Sequence, residues 1–126
     1  MKKIIKTSQA PMPIGPYNQA VFSADTLYIS GQIPINPDTN RLVDTGIKEA
    51  TEQVMQNLKA ILKEAGLDFE NVVKSTIFIT DMDDFSEINQ VYGSYFNEET
   101  APARETVQVA KLPLDVGVEI AMIAVK

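Results

Sequence analysis

Two charged side chains, Arg104 and Glu119, stand in a segment that is otherwise strongly apolar. It runs Ala101-Pro-Ala-Arg104-Glu-Thr-Val-Gln-Val-Ala-Lys-Leu-Pro-Leu-Asp-Val-Gly-Val-Glu119-Ile-Ala-Met and reads as a hairpin, two strands joined by a Pro-containing turn. Side chains alternate along a strand, so Arg104, Thr106 and Gln108 share one face of the first, and Glu105, Val107 and Val109 the other. In the second strand Val116, Val118, Ile120 and Met122 form an apolar face, while Glu119 points the opposite way among Gly117, Ala121 and Ile123. A carboxylate in a strand that buries both faces needs a partner. Spacing alone therefore favours an Arg104–Glu119 ion pair tying two strands together.

Composition narrows the chemistry available. The 126 residues include no histidine and no cysteine, which excludes thiolate nucleophiles, Ser–His pairs and zinc held by His or Cys. Acid–base work falls to carboxylates, Tyr, Lys, backbone groups or water. A net charge of −6 argues against a surface that tracks nucleic-acid phosphates. With 44% hydrophobic and 22% charged residues, the chain has the balance of an ordinary globular domain, and its length suits one domain spanning 1–126. No run is long and apolar enough for a signal peptide or a membrane span, so the expected location is cytoplasmic, without disulfides.

The elements that must position Arg104 and Glu119 follow in order. Ile4-Ile5 opens an edge strand. Ala10-Pro11-Met12-Pro13-Ile14-Gly15-Pro16-Tyr17 is a restricted loop that loses little entropy on ordering and can hold a side chain firmly. Tyr17 there either rests its ring on the core or faces a ligand. Ala20-Val21-Phe22 and Thr26–Ser30 form a hairpin running into Gly31, which serves either as a bulge glycine or as a point where a backbone N–H or C=O approaches a ligand. After a turn at 36–40 and a short strand at 41–43, a helix extends from Asp44 or Thr45 to Ala65, stopped by Gly66. Val72–Ile79 is a strand. A second helix begins near Asp83 or Asp84, where Asp84 and Glu87 could form a capping box. Its apolar stripe is Phe85, Ile88, Tyr92 and Phe96, and Asn89 falls inside that stripe, where an amide must find a hydrogen bond. The order predicts an α+β domain with two helices on one face of a mixed sheet. Apolar residues on both faces of 72–79 and 116–125 leave a second face for another copy of the chain to cover.

The motifs resemble those of the Rid (YjgF-type) family along essentially the whole chain. They are Ile14-Gly-Pro-Tyr17, Ser30-Gly31-Gln-Ile-Pro34, Phe85-Ser-Glu-Ile-Asn89-Gln-Val-Tyr92, Pro102-Ala-Arg104, Leu112-Pro113 and Val118-Glu119-Ile120. The resemblance implies a chorismate-mutase-like fold and a homotrimer with sites in the clefts between subunits. It also implies hydrolytic deamination of 2-imino acids and their enamines, such as 2-iminobutanoate and 2-iminopropanoate, downstream of pyridoxal-phosphate dehydratases. On that reading Arg104 grips the substrate carboxylate, and Glu119 orients and deprotonates a water. Tyr17, Ser30, Gly31, Asn89 and Thr106 complete the pocket, and no metal or cofactor is needed. The imino acid and further copies of the chain are the expected partners, with no nucleic acid and no membrane. Two positions depart from the family: Glu105, which alternation turns away from Arg104, and Thr106, where cysteine is common. A regulatory binding protein, or a ribonuclease-type translation inhibitor, is the alternative that family descriptions supply.

Overall fold

The apolar stripe that begins at Ile47 forms the longest helix, α1 (Ile47–Glu64), in the computed structural model, which describes residues 1–126. Val54, Leu58, Ile61 and Leu62 are completely buried, at the spacing that places them on one side. The helix starts after Gly46, two to three residues later than expected. It ends as expected: Gly66 takes φ 77°, its N–H donates to Lys63 O, and Leu67 N–H donates back to Leu62 O.

Ahead of α1 lie β1 (Lys2–Ile5), β2 (Ala20–Ser23), β3 (Thr26–Gln32) and a minor antiparallel pair, β4 (Ile35–Asn36) with β5 (Arg41–Leu42). After it come β6 (Val72–Ile79), α2 (Phe85–Gly93), β7 (Ala103–Gln108) and β8 (Val118–Val125). The main sheet has the order β1-β2-β3-β8-β6-β7, with β6–β7 its parallel pair. α1 packs on β3 and β8, and α2 lies beside α1 on the same face. The fold is therefore α+β, a mixed sheet with two helices on one side. Leu27, Ile77, Ile79, Val118 and Ile120 are its buried floor. No helix is long and apolar enough to cross a membrane.

One expectation fails in a way that matters. β7 and β8 are not a hairpin, because α2 carries the chain over the sheet from β6 to β7 as a parallel crossover. β7 is left at the sheet edge, and β8 slots between β3 and β6. Arg104 is aligned with Ser75, and Glu119 with Phe78. Aligned residues on neighbouring strands point to the same side, and Ser75 and Phe78 alternate about Ile77 at odd spacing. Arg104 thus projects towards the helices, whereas Glu119 projects from the bare face, two strand spacings or about 10 Å across the sheet. The expected Arg104–Glu119 ion pair does not form within the chain, whose one salt bridge is Lys74–Glu105 at 3.2 Å.

The bare face carries Glu119, Ala121, Ile123, Thr76 and Phe78, all half-buried, with Tyr28 48% and Val107 42% exposed. The Asp84–Glu87 capping box is also absent. Asp81 instead accepts from Asp83 N–H and starts a 3₁₀ turn, Met82–Asp84, that leads into α2.

Candidate active site

On the bare-face side, Glu119 lies at the bottom of a concavity of about 390 Å³ that it shares with Ile14, Tyr17, Ser30, Gly31, Ile33 and Pro113. The Pro-rich loop is riveted there by buried Gln19, whose amide accepts from Thr7 N–H at 2.7 Å and donates to Thr7 O, Ala10 O and Pro11 O. Tyr17 is 48% exposed, so it lines the cleft instead of packing its ring on the core. Its hydroxyl oxygen accepts from Ile14 N–H at 3.4 Å. Ser30 Oγ donates to Asn18 O at 2.6 Å. The bulge reading of Gly31 holds. The β3–β8 register shifts between Ile29 and Gln32, which is a bulge. A Cβ at residue 31 would also lie 2.8 Å from the carboxyl carbon of Glu119, so any side chain there would force the Glu119 carboxylate to move. Glu119 has no cation or hydrogen-bond donor in its own chain, and burial pushes its carboxyl above the usual carboxylate range.

On the helix side, at the sheet edge, Arg104 Nη1 donates to Asn89 Oδ1 at 2.6 Å. Its guanidinium carbon lies 5.1 Å from the Tyr92 ring centroid and 5.7 Å from that of Phe85. Asn89 is solvent-exposed, not buried in the stripe, and its hydrogen bond is to Arg104. Glu105 points away, as alternation requires. Thr76 Oγ1, 2.8 Å from it, and Lys74 hold its carboxyl below the usual range, so it leaves Arg104 unneutralised. Thr106 shares the Arg104 face, and its hydroxyl is sealed from solvent with no partner.

A protein-family model described as Endoribonuclease L-PSP matches residues 7–126. The 2-iminobutanoate/2-iminopropanoate deaminase of Mus musculus is 48% identical over 100% of this chain and 93% of its own. A protein of the Rid family from Yersinia pestis superposes with a TM-score of 0.97, at 47% identity over 100% of both chains. The chain belongs to the Rid family. Escherichia coli TdcF with bound serine is also similar, with a TM-score of 0.92 and 44% identity over 98% of each chain. Several other relatives carry only RutC family names.

In this Rid chain the seven expected site residues fall into two groups. Tyr17, Ser30, Gly31 and Glu119 meet in one cleft. Arg104, Asn89 and Thr106 meet on the other side of the sheet. Spacing along the sequence could not separate them, because it does not say which strand lies between. Ile14, Ile33 and Pro113 also line the cleft. Pro113 is brought there by the turn after Leu112, where Leu114 and Asp115 take φ 56° and 58°. The largest concavity, about 580 Å³, lies elsewhere, between α1 and the loops around Thr7 and Asn36–Asp38. Its lining is almost wholly polar and includes none of the seven.

The sealed hydroxyl gives a first expected outcome. An unpartnered buried hydroxyl costs about 1–3 kcal/mol of desolvation, which a methyl of the same shape avoids. Thr106→Val should therefore melt at or above the parent temperature. A clear fall would mean that the hydroxyl finds a partner in solution.

Proposed function

We propose that this protein hydrolyses small 2-imino acids, such as 2-iminobutanoate and 2-iminopropanoate, to 2-oxo acids and ammonia, at a site shared between copies of the chain. One observation carries the proposal. Arg104 and Glu119 project from opposite faces of one sheet, and neither has an ionic partner there. The face that bears Glu119 is also the one left uncovered. A second copy laid against that face would bring its own edge strand β7, with Arg104, to the Glu119 cleft. The assembly is a homotrimer in which each interface holds one site, and the family's deaminase-named member supports the chemistry.

The roles follow from the groups. Arg104 offers a planar fork that takes a carboxylate in two parallel charge-assisted bonds. That grip aims the C=N carbon, electrophilic as an iminium, at a water held by Glu119. A carboxyl raised above its usual range is a better base than an ordinary glutamate. Water adds to the carbon as its proton passes to Glu119, and Glu119 returns that proton to the amine of the tetrahedral adduct. The C–N bond then breaks to release ammonia as the adduct hydroxyl, becoming C=O, gives its own proton to Glu119. Tyr17 and Ser30 shape the cleft around the small side chain.

The family model's description favours a second reading, ribonuclease action. An RNA substrate needs a basic track for its phosphates, and a chain of net charge −6 without histidine supplies neither that nor the usual acid–base pair. The decisive assay adds the protein to a pyridoxal-phosphate dehydratase acting on threonine or serine and times 2-oxo acid formation. The expected result is formation faster than spontaneous imine hydrolysis, and an unchanged rate contradicts the proposal.

Two further outcomes follow. Sedimentation should give three times the 13.9 kDa chain mass, and a stable folded monomer at micromolar concentration would refute the shared site. Gly31→Ala should push Glu119 aside. A displacement of that size typically costs about 10²-fold in rate, while overpacking costs about 1–3 kcal/mol in stability. Unaltered kinetics in that variant would show that Glu119 does not need its place.

A further inference from the structure

Arg104 extends from an exposed edge strand, where an unanchored arginine samples many rotamers and must be ordered again at each binding event. Three side chains of α2 converge on it instead. Positions 85, 89 and 92 are spaced i, i+4 and i+7, which places them along one helix face. Phe85 and Tyr92 present their rings to the guanidinium at 5.7 and 5.1 Å, within cation–π range. Asn89 between them accepts from Nη1 at 2.6 Å. Tyr92 is itself fixed. It is 5% exposed and donates its hydroxyl hydrogen to Ser75 Oγ at 2.9 Å. Ser75 is the strand neighbour of Arg104, so the anchor of the ring sits on the same rung as the group it holds.

We propose that Phe85, Asn89 and Tyr92 are positioning residues, a cradle on α2 that fixes the plane of the Arg104 guanidinium and chooses which of its edges meets the carboxylate. The inference rests on Arg104 being the carboxylate grip. Whichever Nη1 hydrogen Asn89 takes, the Nε–Nη2 edge stays complete, with two parallel N–H groups free for a bidentate partner. Asn89 therefore acts through Arg104 and does not touch the substrate. The two rings hold the plane without consuming a donor, which hydrogen-bonding side chains in their place would do.

The test measures equilibrium binding of two unreactive carboxylates, pyruvate and 2-oxobutanoate, to the assembled protein and its variants, with melting temperature recorded for each. Phe85 is 36% exposed, so Phe85→Leu should fold normally. It should weaken both ligands by the same factor, about threefold to thirtyfold, the range of a cation–π contact. Phe85→Tyr, which restores a ring face, should recover most of the loss. Asn89→Ala, also at an exposed position, should cost both ligands about threefold to tenfold. Wild-type affinity in folded Phe85→Leu and Asn89→Ala would overturn the cradle. Unequal losses for the two acids would overturn it as well, since they would place these residues against the substrate's side chain. Failure of the wild-type protein to bind either acid would overturn the carboxylate grip itself, and the cradle with it.

Discussion

Arg104→Lys is expected to lower imine hydrolysis by one to two orders of magnitude while leaving the fold and assembly intact. Lysine keeps the positive charge but offers no planar fork, no flat surface for the Phe85 and Tyr92 rings, and no fixed donor for Asn89. A hydrogen bond to a charged group contributes about 1.5–3 kcal/mol, so losing one of the two to the substrate costs about 10- to 150-fold. Stability should hardly move, because Arg104 is exposed and has no ion-pair partner in its own chain. Steady-state kinetics beside a thermal melt separate the two effects. Near-parental turnover with ordinary saturation would remove Arg104 from the role of carboxylate grip.

Glu119→Gln should have the larger effect on rate, a fall of about 10²–10⁴-fold, the usual contribution of a positioned base. Its effect on stability has a definite sign as long as the Arg104 that another copy brings to the cleft engages the substrate carboxylate and not Glu119. Burial raises the Glu119 carboxyl above its ordinary value, with no cation in the chain to offset it. The folded state therefore keeps this proton at a pH where the unfolded chain has released it. The contribution to stability is complete below the ordinary carboxyl pKa and is lost as pH rises through the folded value. Glutamine does not ionise and escapes that loss. The variant should melt at or slightly above the parent at neutral pH, with the difference closing below about pH 4. Breaking a buried ion pair would do the opposite, costing about 3–5 kcal/mol. A variant that melts far lower yet keeps its rate would restore the ion pair as the role of Glu119.

Most of the elements were legible because each carries a local period or stop signal. The stripe of α1, its end at Gly66, the β2–β3 hairpin and the whole of β6 lie where spacing and turn residues put them. The faces of β7 and β8 were legible too. Alternation separates Arg104 from Glu105 and Glu119 from Ile120, and the structure agrees. What spacing cannot carry is neighbourhood. β7 and β8 are close in sequence and look like a hairpin, yet β6 lies between them because α2 makes a parallel crossover. That single topological fact puts the two halves of an apparent ion pair on opposite faces of the sheet. Asn89 shows the same limit: a helical wheel gives its angle but not that the strand edge opposite supplies Arg104. Gln19, which fastens the Tyr17 loop with four hydrogen bonds, gives no sequence signal beyond being an amide after a Pro-rich run.

Subunit mixing tests the shared site most directly. Arg104→Lys and Glu119→Gln chains, each strongly impaired alone, are unfolded together and reassembled in equal amounts, with hybrid trimers verified by differential tags. If Arg104 of one copy works with Glu119 of another, random reassembly puts both intact residues across about one in four interfaces. Imine hydrolysis should then return to roughly a quarter of the wild-type rate. If both residues served a site within one chain, every site in every hybrid would lack one of them. Hybrids that form in full and remain as impaired as their parents would contradict the shared site.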